Sequence, residues 1–376
     1  AQSVDRIALI GPHASTGRPQ GGGSAKVRPS WVAPLLESLN SRDHRVDWAQ
    51  GCSISRFHPS VRGEFTLDVV DAHGVSVSLT KTSLDAFWQD GPTDEMSMTF
   101  GATMSGTFTP ETSGQWSLGC RSVGECRIAI DGKEVLVISR GDAGGSVFGH
   151  GSPERSVDIE LVAGRSVEIT IDYPIDDHPG IRGFMVGLRE PQHIDLFAEA
   201  VELAAASDRA LVVVGTDDDW ETESEDRRTM QLPGRQDDLI SAIAAVNPNT
   251  VVVVNAGSPV TMPWRDEVAA ILYIWFPGGA LGDALCDVVF GAIDPGGRLP
   301  LTFPVSLSNT PAAPHYPGVD GVMRYGEGRQ IGYRWYRATS TPPQFWFGHG
   351  LSYTSFEVSD ESVSGDLRDG VTVAMS

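Results

Sequence analysis

Asp217, Asp218, Asp219, Glu221, Glu223, Glu225 and Asp226 place seven carboxylates within ten residues, closed by Arg227 and Arg228. Carboxylates at that density can hold a cation, or can raise one another's pKa until one of them exchanges protons near neutral pH. The bland alternative is a solvated acidic loop. What precedes them favours a site. Residues 211–214 form a continuous apolar run closed by Gly215, which reads as a buried parallel strand ending at its carboxyl edge. Open α/β sheets hold ligands in the crevice beyond that edge.

The elements that must position this loop alternate on either side of it. Residues 250–255 and 269–276 are further apolar strand patterns, and residues 194–206, 236–246 and 282–290 carry apolar side chains at helical spacing. Strands alternating with helices in this way form βαβ units and a mostly parallel sheet. At the start of the chain, residues 7–10 read as another such strand, stopped by Gly11 and Pro12. Residues 31–39 follow as a helix, and residues 46–52 lead out of this first unit. Gln20-Gly-Gly-Gly-Ser24 is a glycine loop whose backbone can approach a ligand or another strand. It lacks the spacing and the lysine of a nucleotide-binding loop.

Composition changes near Ser53. Short alternating runs at 65–70, 75–79, 96–100, 106–109, 115–119, 126–130, 135–138, 157–161 and 167–171 are separated by turns such as Asp131-Gly132. That is the pattern of an antiparallel β-sandwich. The expected fold class is therefore α/β: a mostly parallel sheet flanked by helices, an α/β sandwich interrupted by an antiparallel β-sandwich insertion. The domain reading assigns residues 1–52 and 193–355 to the first unit and 53–192 to the insertion. Residues 356–376 hold strand-like runs at 356–360 and 371–375, too little for an independent sheet, so the chain reads as one piece of a larger polypeptide.

A formal net charge of −21 and a pI near 4.7 argue against nucleic acid as a partner, since a phosphate binder needs a basic stripe. No apolar run reaches the roughly 18 residues of a spanning helix, so no membrane partner is read, and export cannot be read from the first residues. Self-association into a homo-oligomer stays open. The cysteines Cys52, Cys120, Cys126 and Cys286 match no zinc pattern, and neither a metal nor a cofactor is called for. Cys120 and Cys126 can face each other across a hairpin, with reduced thiols the favoured reading. The compartment stays open, cytoplasmic before secreted.

Taken together, several stretches resemble the C-terminal half of glycoside hydrolase family 3, the β-glucosidase and β-xylosidase family. They are Trp220-Glu-Thr-Glu-Ser-Glu-Asp-Arg227, Leu232-Pro-Gly-Arg-Gln236, Val253-Val-Asn-Ala-Gly257 and Trp275-Phe-Pro-Gly-Gly279. Asp294-Pro-Gly-Gly-Arg-Leu-Pro-Leu-Thr-Phe-Pro304 and Phe347-Gly-His-Gly-Leu-Ser-Tyr353 continue the order. The intervening sandwich resembles the anthrax protective-antigen-type domain that some members carry, and the last residues resemble the start of a fibronectin type III-like domain.

The resemblance implies retaining hydrolysis of a small β-glycoside by two carboxylates about 5 to 5.5 Å apart. The nucleophile aspartate would belong to a (β/α)8 barrel, a partner domain or chain for which this sequence holds no candidate. The acid/base would be Glu223, with Glu221 as second choice. Where the family pattern has glycine, this sequence has Ser224. Asp226 and Arg227 are expected to pair and support the loop. Neighbouring carboxylates and partial burial are expected to raise the pKa of Glu223. Trp88, after Phe87, is a candidate for stacking on an aglycone, with ordinary core packing as the alternative.

Overall fold

The computed structural model describes residues 5–24, 26–42, 45–141, 145, 150–176, 180–191, 195–223, 226–355, 357, 359–366 and 368–375. The chain opens with β1 (Arg6–Ile10), α1 (Leu35–Asn40) and β2 (Arg45–Ala49), the two strands pairing in parallel. Among the described residues, ten antiparallel strands follow. They are β3 (Arg62–Asp71), β4 (Ser76–Ser83), β5 (Asp85–Trp88), β6 (Phe100–Phe108), β7 (Gly114–Val123) and β8 (Cys126–Ile130), then β9 (Lys133–Ile138), β10 (Arg155–Leu161), β11 (Val167–Asp176) and β12 (Arg182–Arg189). The chain then returns through α2 (Leu196–Ala205), β13 (Arg209–Gly215), α3 (Gln236–Val246), β14 (Thr250–Asn255), β15 (Ala270–Tyr273) and α4 (Leu281–Val289).

The parallel sheet has the order β15-β14-β13-β1-β2, so it draws strands from both sides of the antiparallel region. Its residues alternate between two cores, as period-two side chains must. Ala8, Ile10, Val212, Val214, Val252 and Val254 face one layer, where Ala200, Ala204, Leu239, Ile240 and Ile243 of α2 and α3 pack. Ile7, Leu9, Leu211, Val213 and Val253 face the other, against Leu35 and Leu39 of α1 and Leu281 and Leu285 of α4. Both faces are covered, which is why these strands read as unbroken apolar runs. Asp195 caps α2 by accepting from Phe197 N and Ala198 N at 3.1 and 3.2 Å. The helix expected at residues 31–39 begins only at Leu35. Pro34 disfavours helical backbone before it, and Ala33 instead exchanges hydrogen bonds with Gly279 and Gly282.

The antiparallel strands form a four-stranded sheet, β10-β7-β12-β5, and a six-stranded sheet, β4-β3-β6-β11-β8-β9, around one core. The strand expected at 96–100 is absent before Phe100. Ser97 N is taken by the Asp71 carboxylate, and the buried Arg182 donates to Met98 O at 2.7 Å, so this stretch turns instead of pairing. The Cys120 and Cys126 thiols are free, buried and 3.9 Å apart. After α5 (Tyr333–Ala338) the chain ends in an exposed hairpin, β16 (Ser362–Asp366) with β17 (Gly370–Ala374). Of the strand expected at 356–360, Phe356 and Val358 lie outside the described residues, and Glu357, Ser359 and Asp360 form no strand.

Candidate active site

The acidic loop leaves the carboxyl end of β13, and the strand end is clamped. Gln236, the first residue of α3, accepts from Gly215 N at 2.8 Å and donates to Gly215 O at 2.9 Å. At the end of β14, Asn255 does the same for the glycine-rich segment. It accepts from Arg18 N at 2.7 Å and donates to Arg18 O at 3.0 Å. Buried amides with every donor and acceptor used hold a backbone in one place. The glycine loop is thereby laid against the acidic loop: a Cβ on Gly22 would stand 2.8 Å from Asp218 Cβ, and Gly22 N donates to Glu221 O at 2.9 Å.

The loop then folds on itself. Asp217 O accepts from Trp220 N and Glu221 N at 3.0 and 2.9 Å. Glu221 is turned inward, where its Oε1 accepts from Thr216 Oγ1 at 2.5 Å and Gly257 N at 3.0 Å, with Arg227 Nη1 at 3.8 Å. Glu223 is exposed, and its Oε2 accepts from Ser24 N at 2.6 Å.

Environment pushes these carboxylates apart. Burial, reinforced by the charge of Asp219, raises Asp217 to about 6, against the pull of Arg18 at 3.8 Å. Burial also raises Asp219. Burial would raise Asp218 too, but its contact with the Lys26 ammonium wins and lowers it. The Ser24 hydroxyl and N–H together lower Glu223 below the usual carboxylate range. The expected upward shift of Glu223 is thus overturned in this chain: the side chain is exposed and receives hydrogen bonds that favour its charged form.

Two further expectations are corrected. Asp226 and Arg227 are not paired with each other: the Asp226 carboxylate meets the Tyr316 hydroxyl, while Arg227 reaches Ser258 Oγ and Gln231 O, each at 3.0 Å. Trp88 does not stand on a loop over the site. It ends β5, only 9% exposed, with its ring 5.0 Å from Phe100 and 6.2 Å from Phe184, because an apolar ring at an inward strand position gains most by packing in the core. Ser224 and Glu225 lie outside the described residues.

The loop's partners Thr216, Arg18 and Lys26 were not picked out by the sequence reading. The glycine loop ending at Ser24 was, for its backbone, and Asn255 carried a signal as a polar residue closing an apolar strand. His13, buried beside Gly215 with burial lowering it to about 3, was likewise unsignalled.

These features define an α/β domain with a cluster of carboxylates beyond the carboxyl edge of its parallel sheet. Residues 1–353 match the glycosyl hydrolase family 3 C-terminal domain, and the chain belongs to that family. It is 37% identical to a β-glucosidase of Rhizobium radiobacter over 99% of this chain and 48% of the relative. With a probable β-glucosidase I of Aspergillus terreus the identity is 33%, over 94% of this chain and 46% of the relative. Among solved structures, the β-glucosidase of Kluyveromyces marxianus in complex with glucose superposes with a TM-score of 0.83 at 28% identity, covering 96% of this chain and 46% of that one. DesR, a β-glucosidase from Streptomyces venezuelae in complex with D-glucose, gives 0.59 at 29% identity, over 98% and 44%. The chain spans about half the length of the curated relatives it matches.

Proposed function

We propose that this chain is the acid/base-bearing half of a retaining β-glycosidase of the β-glucosidase type. It would hydrolyse terminal non-reducing β-D-glucosyl residues of small glycosides, only together with a barrel carrying the nucleophile aspartate. In this reading residues 53–192 are a protective-antigen-type insertion between the two parts of the α/β domain, and residues 356–376 begin a fibronectin type III-like domain.

The observation that carries the reading is the division between two glutamates. Glu221 spends its carboxylate on Thr216 and Gly257 inside the loop, whereas Glu223 presents its own to solvent on the side of the glycine loop. Proton transfer needs the accessible group. As it stands, Glu223 is charged and suited to the second step, in which a base activates water. A nucleophile carboxylate within about 5.5 Å would disfavour a second charge, raising Glu223 into the acid's range, and glycosylation of that nucleophile would let it fall again. The names and glucose complexes of the relatives support a glucosyl substrate.

The test is reconstitution. The isolated chain should turn over no aryl β-glucoside, and joining it to its barrel half should restore turnover that Glu223→Gln abolishes. Turnover by the isolated chain, unaffected by Glu223→Gln, would overturn the proposal.

A further inference from the structure

We propose that the connector at residues 54–59 is a strut that fixes the acidic loop onto the antiparallel sandwich, and that Arg121 and His58 are positioning residues for Glu223. The proposal rests on the assignment of Glu223 as acid/base.

On β7, Trp116, Leu118 and Cys120 face the core, so Ser117, Gly119 and Arg121 face outward. The connector lies flat across that outer face. A Cβ on Gly119 would stand 2.3 Å from His58 Nδ1, and one on Gly187 of β12 would stand 2.3 Å from His58 O. Only glycines admit a chain so close. His58 is then held at both ring nitrogens, with Nδ1 2.8 Å from Glu154 Oε2 and Nε2 2.9 Å from Ser117 Oγ. Next to it, the Arg121 guanidinium sits 3.5 Å over the Phe57 ring, a cation–π stack that gains strength away from water.

The other side of the same connector grips the acidic loop. Trp220 Nε1 donates to Ile54 O at 2.7 Å, and Arg56 Nη1 reaches Asp219 O at 3.4 Å. The backbone N–H of Phe57 favours the charged form of the Asp219 carboxylate. Arg121 and Asp219 also face each other electrostatically: burial lowers the first and raises the second, and each one's charge opposes the other's shift. Asp219 and Trp220 precede Glu223 on one short loop, so a sandwich that moved on its seat would carry the proton donor with it. Displacements of about 1 Å in a reacting group can cost on the order of a hundredfold in rate.

The experiment uses the complete enzyme with Arg121→Met, Arg121→Lys and His58→Gln. Amide hydrogen exchange of residues 216–223 is measured beside kcat/KM for aryl glucosides with good and poor leaving groups. Arg121→Met should speed exchange there about tenfold or more. It should also lower kcat/KM, which reports formation of the glucosyl enzyme, for the poor leaving group roughly 10- to 100-fold while leaving that of the good one within about threefold, because only the poor one needs the acid in that step. Arg121→Lys should recover part of the loss. Where Arg121→Met unfolds the sandwich, Arg56→Met on the connector carries the same expectation. Unchanged exchange in a folded variant, or faster exchange with an unchanged leaving-group ratio, would overturn the proposal. Glu223→Gln is the control: if it shows no leaving-group selectivity, the acid/base assignment fails, and exchange alone decides the strut.

Discussion

Glu223 Oε2 accepts a 2.6 Å hydrogen bond from the backbone N–H of Ser24, a residue 199 positions earlier in the chain. The glycine loop and the acidic loop therefore form one rim, and the Ser24 hydroxyl also favours the charged carboxylate. Ser24→Ala is expected to raise the Glu223 pKa toward the ordinary glutamate value. A carbon-detected NMR titration of the isolated chain checks this, and an unmoved or lower pKa would contradict it.

Asp217 links the site to stability. Its folded pKa of about 6 lies above the ordinary 3.8, so its contribution is fully present below the lower value and is lost as pH rises through the higher one. Asp217→Asn keeps an acceptor for Asp219 N without titrating. Relative to wild type, the variant is expected to gain about 1–3 kcal/mol between pH ~4 and ~7. Denaturant unfolding at the two pH values measures the gap, and a gap that does not widen would refute the assignment.

His13 acts in the opposite sense. Its folded pKa of about 3 is depressed from 6.5 by burial, with Arg18 adding to the effect. The neutral ring therefore contributes stability above the unfolded value that is lost as pH falls toward the folded one. His13→Leu is expected to flatten the decline of stability between pH ~6.5 and ~3. An equally steep decline in the variant would place the acid sensitivity elsewhere.

The two glutamates should separate in stability as well as in rate. Glu221→Ala strips Thr216 and Gly257 of their acceptor and is expected to cost about 1–3 kcal/mol. Glu223→Ala removes an exposed side chain and should change stability by less than about 0.5 kcal/mol. Thermal unfolding of the isolated chain reads both, and equal losses would undo the distinction between an anchor and a reactive group.

Much of the frame was legible because burial on both faces leaves a simple trace. β13, β14 and α3 lie where apolar runs and helical spacing put them. β5 and β12 escaped notice: the first is only Asp85-Ala-Phe-Trp88, and the second carries the buried Arg182 and two glycines that break the alternation. The acidic loop was legible from density alone, and its resemblance to the family pattern is what directed attention to Glu223 and Glu221. Their different surroundings were not legible, because the partners that set them come from Ser24 and Gly257, far along the chain and brought in by the sheet. The same holds for Asp226 and Arg227, adjacent opposite charges that turn to Tyr316 and Ser258 instead of to each other.

The most direct test of the acid/base assignment is Glu223→Ala in the complete enzyme, assayed on an activated aryl β-glucoside with and without azide. Loss of the base should slow release of the glucosyl enzyme by about 10²- to 10⁴-fold. Azide, a nucleophile that needs no base, should restore turnover and yield β-glucosyl azide. An unchanged kcat, or a loss that azide does not relieve, would contradict the account.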